Sequence, residues 1–246
     1  MRAGGTWRGT VLMVAGALVA WQALYWVVGD VALRSPLSTM QYTWMLLERP
    51  SFWPHVVESM KAFGAAIAIA LALGLAIGLT LGFRKLAGQV FEPVLVALYS
   101  LPKVTLYPIL LLTFGLGISA KIAFGALHGF IPIALFTINA VRNVRPIFVK
   151  TARVLNYSTR ETVLRVLIPA ALPEIFSGIR IGLSLTLIGT LLGEMFASQR
   201  GLGYMLMNAI GLHNVDVIMS ITFLLIVFAG AVSSILLAID RRLRRL

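Results

Sequence analysis

Long apolar runs alternate with short polar segments along this chain. A helix that crosses the hydrocarbon core of a membrane needs roughly 20 mainly apolar residues. The pattern therefore predicts an all-α polytopic membrane protein with about six transmembrane helices. The first run is too long for a signal-peptide core and no clean small-residue cleavage site follows it, so we expect a retained anchor. The predicted spans are 10–29, 62–83, 91–116, 121–141, 175–196 and 217–239.

Glycine and proline modify two of these spans. Glycines that recur every four residues let another helix approach closely, so we expect tight packing of the second span. Prolines free backbone carbonyls and bend helices, which a membrane tolerates only against protein or water. We therefore expect the third span to bend. The residues concerned are Gly74, Gly78 and Gly82 in the second span and Pro93, Pro102 and Pro108 in the third.

Composition supports the membrane interpretation and excludes other classes of protein. Hydrophobic residues make up 59% of the chain and charged residues 12%, and the mean hydropathy is +0.92. A soluble domain carries about 25% charged residues. The net charge of +12 lies between the apolar runs, without a basic stripe and interleaved aromatics, so we expect no binding to nucleic acid. The sequence has no cysteine, which excludes disulfides and cysteine-based metal or redox sites.

The distribution of lysine and arginine predicts the orientation in the lipid bilayer. Six spans place both termini on one side, and cytoplasmic loops carry the excess of these residues. The loops on the side of the termini hold Arg2, Arg8, Arg84, Lys85, Arg142, Arg145, Lys150, Arg153, Arg160, Arg165, Arg241, Arg242, Arg244 and Arg245. The opposite loops hold Arg34, Arg49, Lys61, Lys121 and Arg200. Both termini are therefore expected in the cytoplasm.

The same pattern divides the chain into two parts. Residues 1–61 are expected to form an N-terminal anchor helix and an external interfacial segment, because Trp44, Phe52 and Trp53 suit the membrane boundary. Residues 62–246 are expected to form the transmembrane core, with a polar cytoplasmic loop at 146–173.

The loop at 146–173 has local signals for two helices. Pro146 can start a helix, since its missing N–H would be unpaired there anyway. Asn156 suits the left-handed residue that often ends a helix, which predicts that the first helix closes near Leu155. Ser158 and Glu161 have the spacing of a capping box, so a second, amphipathic helix is expected to begin there. Pro169 is expected to stop it sharply.

A helical pair of this kind is longer than a plain connector between two spans. Docking onto a protein partner is favoured, and a helix lying on the membrane surface is the alternative.

At these residues the chain resembles the membrane permease subunit of type I ATP-binding-cassette importers, in the nitrate, sulfonate and taurine group. The superfamily signature is Glu-Ala-Ala, a glycine four residues after the last alanine, and a later Ile-x-Leu-Pro. The same spacing here holds Lys150-Thr151-Ala152, then Asn156, then Val-Leu-Ile-Pro at 166–169. The stretches 99–122 and 172–209 resemble the family's proline-rich third span, and its fifth span with a Gly-Leu-Gly-Tyr loop.

The resemblance implies a permease fold in which this loop is the coupling helix that enters a groove on an ATPase subunit. It implies two ATPase copies, a second permease copy expected to form a homodimer, and an extracytoplasmic solute-binding protein, in a bacterial plasma membrane. Because the sequence lacks a Walker-type G-x-x-x-x-G-K-S/T, we expect ATP and Mg²⁺ on the ATPase and neither cofactor nor catalytic residue here. The expected coupling residues are Lys150, Thr151, Ala152, Asn156, Ser158, Arg160, Glu161, Arg165 and Pro169.

Lys150, Thr151 and Asn156 depart from the family signature. The lysine inverts the local charge, so either the ATPase carries a compensating acid or the contact is weaker. The resemblance also implies a small anion or organic acid as solute, such as nitrate, a sulfonate or taurine, although relatives also move thiamine-precursor pyrimidines and aromatic acids.

Several residues inside the spans are candidates for the translocation pathway. Lys103 either draws an anion along the pathway or lies near the cytoplasmic boundary and extends toward it. Small residues form a stripe on the fifth span that either lines the path or packs against the partner permease. Arg180 is expected to reach the cytoplasmic interface. The pathway candidates are Lys103, Thr186, Gly189, Gly193 and Glu194.

Two other classes of protein fit the sequence less well than an importer subunit. A secondary transporter or channel would show an internal repeat with broken helices in symmetric halves, and no clear repeat is visible. A membrane enzyme would need a cluster of catalytic groups, whereas Glu92, Glu174 and Glu194 are spread along the chain.

Overall fold

The computed structural model describes residues 4–196 and 198–243, and within these ranges all side chains except those of residues 4–7, 159 and 243. The regular structure in these ranges is helical. Its helices are α1 (Gly4–Val28), α2 (Pro36–Glu48), α3 (Trp53–Phe83), α4 (Lys85–Ser100), α5 (Tyr107–Phe114), α6 (Ile118–Arg142), α7 (Pro146–Val154), α8 (Thr159–Glu161), α9 (Ile168–Phe196), α10 (Leu202–Gly211) and α11 (Val215–Leu243). A 3₁₀ turn (Lys103–Leu106) precedes α5, and a π-helical turn (Thr162–Leu167) precedes α9. Arg2, Arg244 and Arg245, which entered the charge distribution, lie outside the described residues.

Helices long and apolar enough to cross a membrane confirm the predicted polytopic all-α fold. Five such segments occur in the described ranges, and a sixth is a bent pair of helices, Lys85–Ser100 and Lys103–Phe114. The second span differs from its prediction, because α3 starts at Trp53 rather than at residue 62. Its first turns are more polar than the rest, and Pro54 at the helix start supplies the signal that hydropathy alone missed.

The third span is broken as its prolines predict. Its two halves meet at an angle of 92°. The break lies at Leu101, which is extended (φ −65°, ψ 139°), as expected for the residue before a proline. Pro93 lies inside α4 without ending it, and Pro108 lies in the first turn of α5. Pro102 is therefore the residue that breaks the span.

Helices α3, α6 and α9 form the centre of the bundle, with α6 between the other two. A methyl group placed on Gly74 would lie 2.7 Å from Cβ of Ile133, and one on Gly78 would lie 2.5 Å from Cβ of Thr137. The glycine repeat of α3 thus permits the close approach to α6 that the sequence predicts. On the other side of α6, Gly182 of α9 packs against the Ile133 side chain.

The remaining helices surround this centre. Helix α2 packs on α11, and the guanidinium of Arg34, which precedes α2, donates to both carboxylate oxygens of Asp216 at 2.6 and 3.2 Å. Helix α4 is held to α6 by an ion pair between Glu92 and Arg142. We call the end of the bundle that holds residues 143–161 the insert end, and the opposite end, which holds residues 198–203, the far end.

Candidate functional site

The first helix of the insert ends in a complete backbone cap. Asn156 has φ +54°, the left-handed conformation predicted for it. Its N–H donates to the Arg153 carbonyl at 3.0 Å, and the N–H of Tyr157 donates to the Ala152 carbonyl at 3.0 Å. These two bonds define a Schellman motif. Asparagine adopts this conformation more readily than most residues, so Asn156 can replace the glycine of the family signature at little cost.

The second helix of the insert begins at the predicted capping box. The Glu161 carboxylate accepts from the Ser158 N–H at 3.1 Å, and the Glu161 N–H donates to the Ser158 hydroxyl at 3.3 Å. These hydrogen bonds, the backbone one foremost, lower the pKa of Glu161, and the Arg165 charge adds to the effect. The cap therefore holds the turn between α7 and α8 in one conformation.

The predicted sharp stop at Pro169 is wrong. The chain remains helical from residue 162 to Phe196, and Ile168 has ordinary helical angles (φ −62°, ψ −50°). In the π turn just before the proline, the Ile168 N–H donates to the Val163 carbonyl, five residues back. The wider turn replaces the regular hydrogen-bond pattern where proline lacks a donor, so the helix continues. The insert is thus joined directly to the fifth span.

The insert exposes cations and large apolar side chains together. Lys150, Arg153 and Arg160 are exposed, and Arg165 is 65% exposed although it pairs with Glu161 at 3.6 Å. Ala152, by contrast, is buried at 1% exposure and fixes α7 to the rest of the insert. The exposed apolar side chains of this surface are Ile147, Phe148, Val154, Leu155 and Leu164.

A buried polar cluster at the far end was not predicted. The Glu194 side chain is completely buried and accepts hydrogen bonds from the Ser59 hydroxyl at 2.8 Å and from the Gly203 N–H at 2.9 Å. The Ser59 hydroxyl in turn accepts from the Leu202 N–H at 2.8 Å. Glu194 therefore ties the start of α10 to the first turns of α3.

Lys121 is the second charged group of this cluster. It is only 2% exposed, and its ammonium group donates to Glu58 at 3.2 Å and to the Arg200 carbonyl at 2.8 Å. Lys121, counted above with the loops opposite the termini and at the start of the fourth predicted span, lies in the first turn of α6 with its side chain turned inward. A cleft of about 580 Å³ adjoins the cluster, lined by Glu58, Leu116, Gly117, Lys121, Phe196, Ser198, Gln199 and Arg200.

Most pathway candidates lie between α9 and α6. Thr186 is fully buried, and its hydroxyl donates to the Gly182 carbonyl at 2.8 Å. A methyl group on Gly189 would lie 2.7 Å from Nδ1 of His128, and one on Gly193 would lie 3.2 Å from Cα of Lys121. The small-residue stripe of the fifth span is thus occupied by α6 of the same chain.

Lys103 is separate from this stripe and lies at the break of the third span. Its ammonium group donates to the Tyr99 carbonyl at 3.0 Å and lies 4.9 Å from the centroid of the Tyr99 ring. Both contacts are within the broken span, and neither is with a carboxylate.

Comparisons with known proteins agree with this architecture. The family model described as binding-protein-dependent transport system inner membrane component matches residues 68–245. The riboflavin transport system permease protein RibX of Chloroflexus aurantiacus is 34% identical over 89% of this chain and 85% of its own length. A Bacillus subtilis protein named as an aliphatic sulfonates transport permease, SsuC, is 28% identical over 82% of this chain and 74% of its length. A chain of the methionine transporter MetNI in an inward-facing conformation has the same fold, with a TM-score of 0.70 and 18% identity over 80% of this chain and 99% of the other.

Proposed function

The chain belongs to the family of binding-protein-dependent transport system inner membrane components, and on this basis we propose that it is the membrane-spanning subunit of an ATP-driven importer for a small anionic solute. A separate ATPase binds ATP and Mg²⁺ and drives the transport. Membership of this family is sufficient to identify the chain as the permease component of an importer for small solutes. The ATPase contact, the assembly and the charge of the solute are the proposed parts.

The insert carries the proposal for the ATPase contact. Its two helix ends are capped, so the surface is already ordered before a partner binds, which lowers the entropic cost of association. It presents exposed apolar side chains, among them Val154 at 80% exposure, beside several cations. A protein groove would cover both kinds of group, whereas an isolated connector gains nothing from exposing them.

The charge of the insert indicates the chemistry of the groove. Lys150 stands where the family signature has glutamate, and its neighbours Arg153 and Arg160 are also exposed cations. Complementary charges across an interface steer association and exclude wrong partners. We infer that the ATPase groove carries carboxylates. The coupling residues between Lys150 and Pro169 would contact this groove.

The proposed assembly follows from the two ends of the bundle. The insert end, which has the larger share of cations, faces the cytoplasm of a bacterial cell and meets two ATPase copies, one per permease. The far end faces the extracytoplasmic binding protein. A second copy of this chain completes the pathway.

The charge of the solute is inferred from the chain as well as from its relatives. The names of the relatives alone do not choose a class, because one refers to sulfonates and another to riboflavin. Lys103 lies in the broken third span without a carboxylate partner among the described residues. A cation at membrane depth is costly, and an anionic solute passing through would complement it. The other pathway candidates are buried and would hold the helices of the pathway in place without contacting the solute. They are Thr186, Gly189, Gly193 and Glu194.

The double variant Arg160→Glu with Arg165→Glu tests the ATPase contact. Affinity-tagged chain is purified from the native membrane, and a co-purifying subunit with a Walker motif is identified by mass spectrometry and its ATPase activity. Reversing two charges against an acidic groove is expected to weaken binding about tenfold or more, since like charges at an interface cost several kcal/mol. The ratio of solute transported to ATP hydrolysed is expected to fall with it.

Arg241→Glu with Arg242→Glu is the matched control, because these arginines are also exposed and lie at the end of α11. An unchanged unfolding midpoint in both double variants shows that the fold is intact. Wild-type ATPase binding and coupling in the insert variant would contradict the proposed docking surface.

A further inference from the structure

A cavity of about 380 Å³ lies between the break of the third span, α9 and α11. Its volume falls within the range of small-ligand sites. No carboxylate occurs among the described residues that line it, whereas an arginine and two serines do. The lining residues are Tyr99, Arg180, Ile181, Ser184, Leu185, Ser233 and Leu237.

Arg180 lies within the length of the bundle rather than at the end of α9. Its neighbours on α9, Gly178 and Gly182, pack against the α6 residues Phe136 and Ile133. Ile133 also meets Gly74 of α3, nine residues before α3 ends at Phe83. At 1.5 Å per residue, the level of Gly74 is about 14 Å from the insert end of α3; Arg180, two residues nearer that end than Gly182, is about 11 Å from it and about 24 Å from Phe196. The Arg180 backbone therefore lies inside the fifth span, as predicted, and the reach of its side chain to the cytoplasmic interface stays a prediction.

The Arg180 guanidinium has no partner within the part of the chain that the structure describes. The contact of this residue is between its backbone carbonyl and the Ser184 hydroxyl, at 3.2 Å. A second cation is close, because the Lys103 ammonium lies 4.9 Å from the centroid of the Tyr99 ring, and Tyr99 lines the same cavity. Two cations without a described carboxylate at this depth require a complementary anion or water.

We propose that this cavity is a binding site for the oxyanion group of the transported solute, of the sulfonate or carboxylate class. Arg180 supplies the planar pair of N–H donors that suits such a group, and Lys103 adds a second charge. The Ser233 hydroxyl lines the same cavity and can donate to a remaining oxygen, whereas the Ser184 hydroxyl already donates to the Arg180 carbonyl. The inference rests on the proposed importer function, since it assigns the solute site of that importer.

Because the chain has no cysteine, a single introduced cysteine can report the charge of the cavity. Ser184→Cys is treated with two methanethiosulfonate reagents, one ending in ethylsulfonate and one in ethyltrimethylammonium. We expect the sulfonate reagent to react faster relative to the cationic one than it does at Ser38→Cys, an exposed control on α2. Adding Arg180→Gln is expected to lower that ratio about tenfold, because one unit charge changes the energy of each reagent in opposite directions. Adding Arg8→Gln is expected to leave it unchanged.

The labelling needs neither the ATPase nor transport, so it separates this inference from the proposed function. A ratio at Ser184→Cys that equals the control, or that is unaffected by Arg180→Gln, would overturn the site whatever the chain transports. Labelling in discs of purely zwitterionic lipid and of lipid with added anionic headgroups distinguishes a solute site from a lipid site. If anionic lipid slows the sulfonate reagent and free ethanesulfonate does not, the cavity binds a lipid headgroup and the proposal is overturned. Protection by free ethanesulfonate in zwitterionic discs supports the proposal.

Transport provides the second test. In the complete importer, Lys103→Gln is expected to raise the solute concentration for half-maximal transport about tenfold, by loss of one attractive charge near the site. Arg49→Gln is the control, because Arg49 makes a similar cation–π contact with Tyr42 outside the spans. An unchanged half-maximal concentration in the Lys103 variant would remove Lys103 from the site.

Discussion

The buried lysine of the far end offers the sharpest test of the structure. Lys121 is 2% exposed and contacts the Glu58 carboxylate and the Arg200 carbonyl. Lys121→Met keeps a long unbranched side chain of similar shape and removes only the charge and its hydrogen bonds. The variant leaves Glu58 without its cation and the Arg200 carbonyl without this donor.

The expected loss of stability follows from the separation and the exposure of the two charges. At 3.2 Å, two unit charges attract by about 5 kcal/mol when the effective dielectric constant is about 20. Glu58 is 26% exposed, so water recovers part of this energy in the variant. Breaking a buried pair by removing one partner costs about 3–5 kcal/mol. We therefore expect a loss of about 3 kcal/mol, the lower end of that range.

Thermal unfolding of the purified protein in detergent, at one fixed scan rate, measures the effect. For a chain of this length, 1 kcal/mol corresponds to about 2–4 °C, so the midpoint is expected to fall by about 6–12 °C. Lys61→Met is the matched control, because Lys61 is an exposed lysine on α3, three residues from Glu58. Adding Glu58→Gln to Lys121→Met is expected to recover part of the loss. If the unfolding midpoints of Lys121→Met and of the control both lie within about 2 °C of wild type, the buried pair does not exist.

Two further predictions concern the helix seam and the capping box. Gly78→Leu is expected to destabilise the fold strongly because its Cβ would lie 2.5 Å from Cβ of Thr137, whereas Gly64→Leu faces open space and is expected to be tolerated; thermal unfolding of both compares them. The lowered pKa of Glu161 means that its cap stabilises the insert above the ordinary carboxyl range and is lost as pH falls through the lowered pKa. Proteolysis of the insert should accelerate on acidification in wild type, and Glu161→Gln, which removes the titrating carboxylate, should abolish that pH dependence.

Features that depend on neighbouring residues were predictable from the sequence. The capping box joins residues three apart, and Asn156 needs only its own conformational preference. The break at Pro102 follows from the ring of the proline itself. Spans were predictable because hydropathy is a sum over adjacent residues, although their ends shifted where a proline begins the helix, as at Pro54.

Features that depend on distant residues were not predictable. Ser59 and Glu194 are 135 positions apart, and nothing near either residue indicates the other. A weak signal existed, since Lys121 and Glu58 are opposite charges near the ends of two apolar runs that face the same side. Pro169 differs from its prediction for another reason: a proline disrupts a regular α-helix, whereas the π turn before Pro169 removes that conflict.

One continuous helical segment, from residue 162 to Phe196, joins the insert, the cavity at Arg180 and the cluster at Glu194. Its small residues lie directly against α6, so α9 cannot rotate on α6 without a clash between backbone and side chain. Helix α11 packs much less extensively on α9 than α6 does, and the third span is broken beside the cavity. We therefore expect a displacement of the insert to be carried by α3, α6 and α9 as one body. We expect this displacement to alter the cavity at the side formed by α11 and Tyr99, because α9 packs less extensively on α11 than on α6.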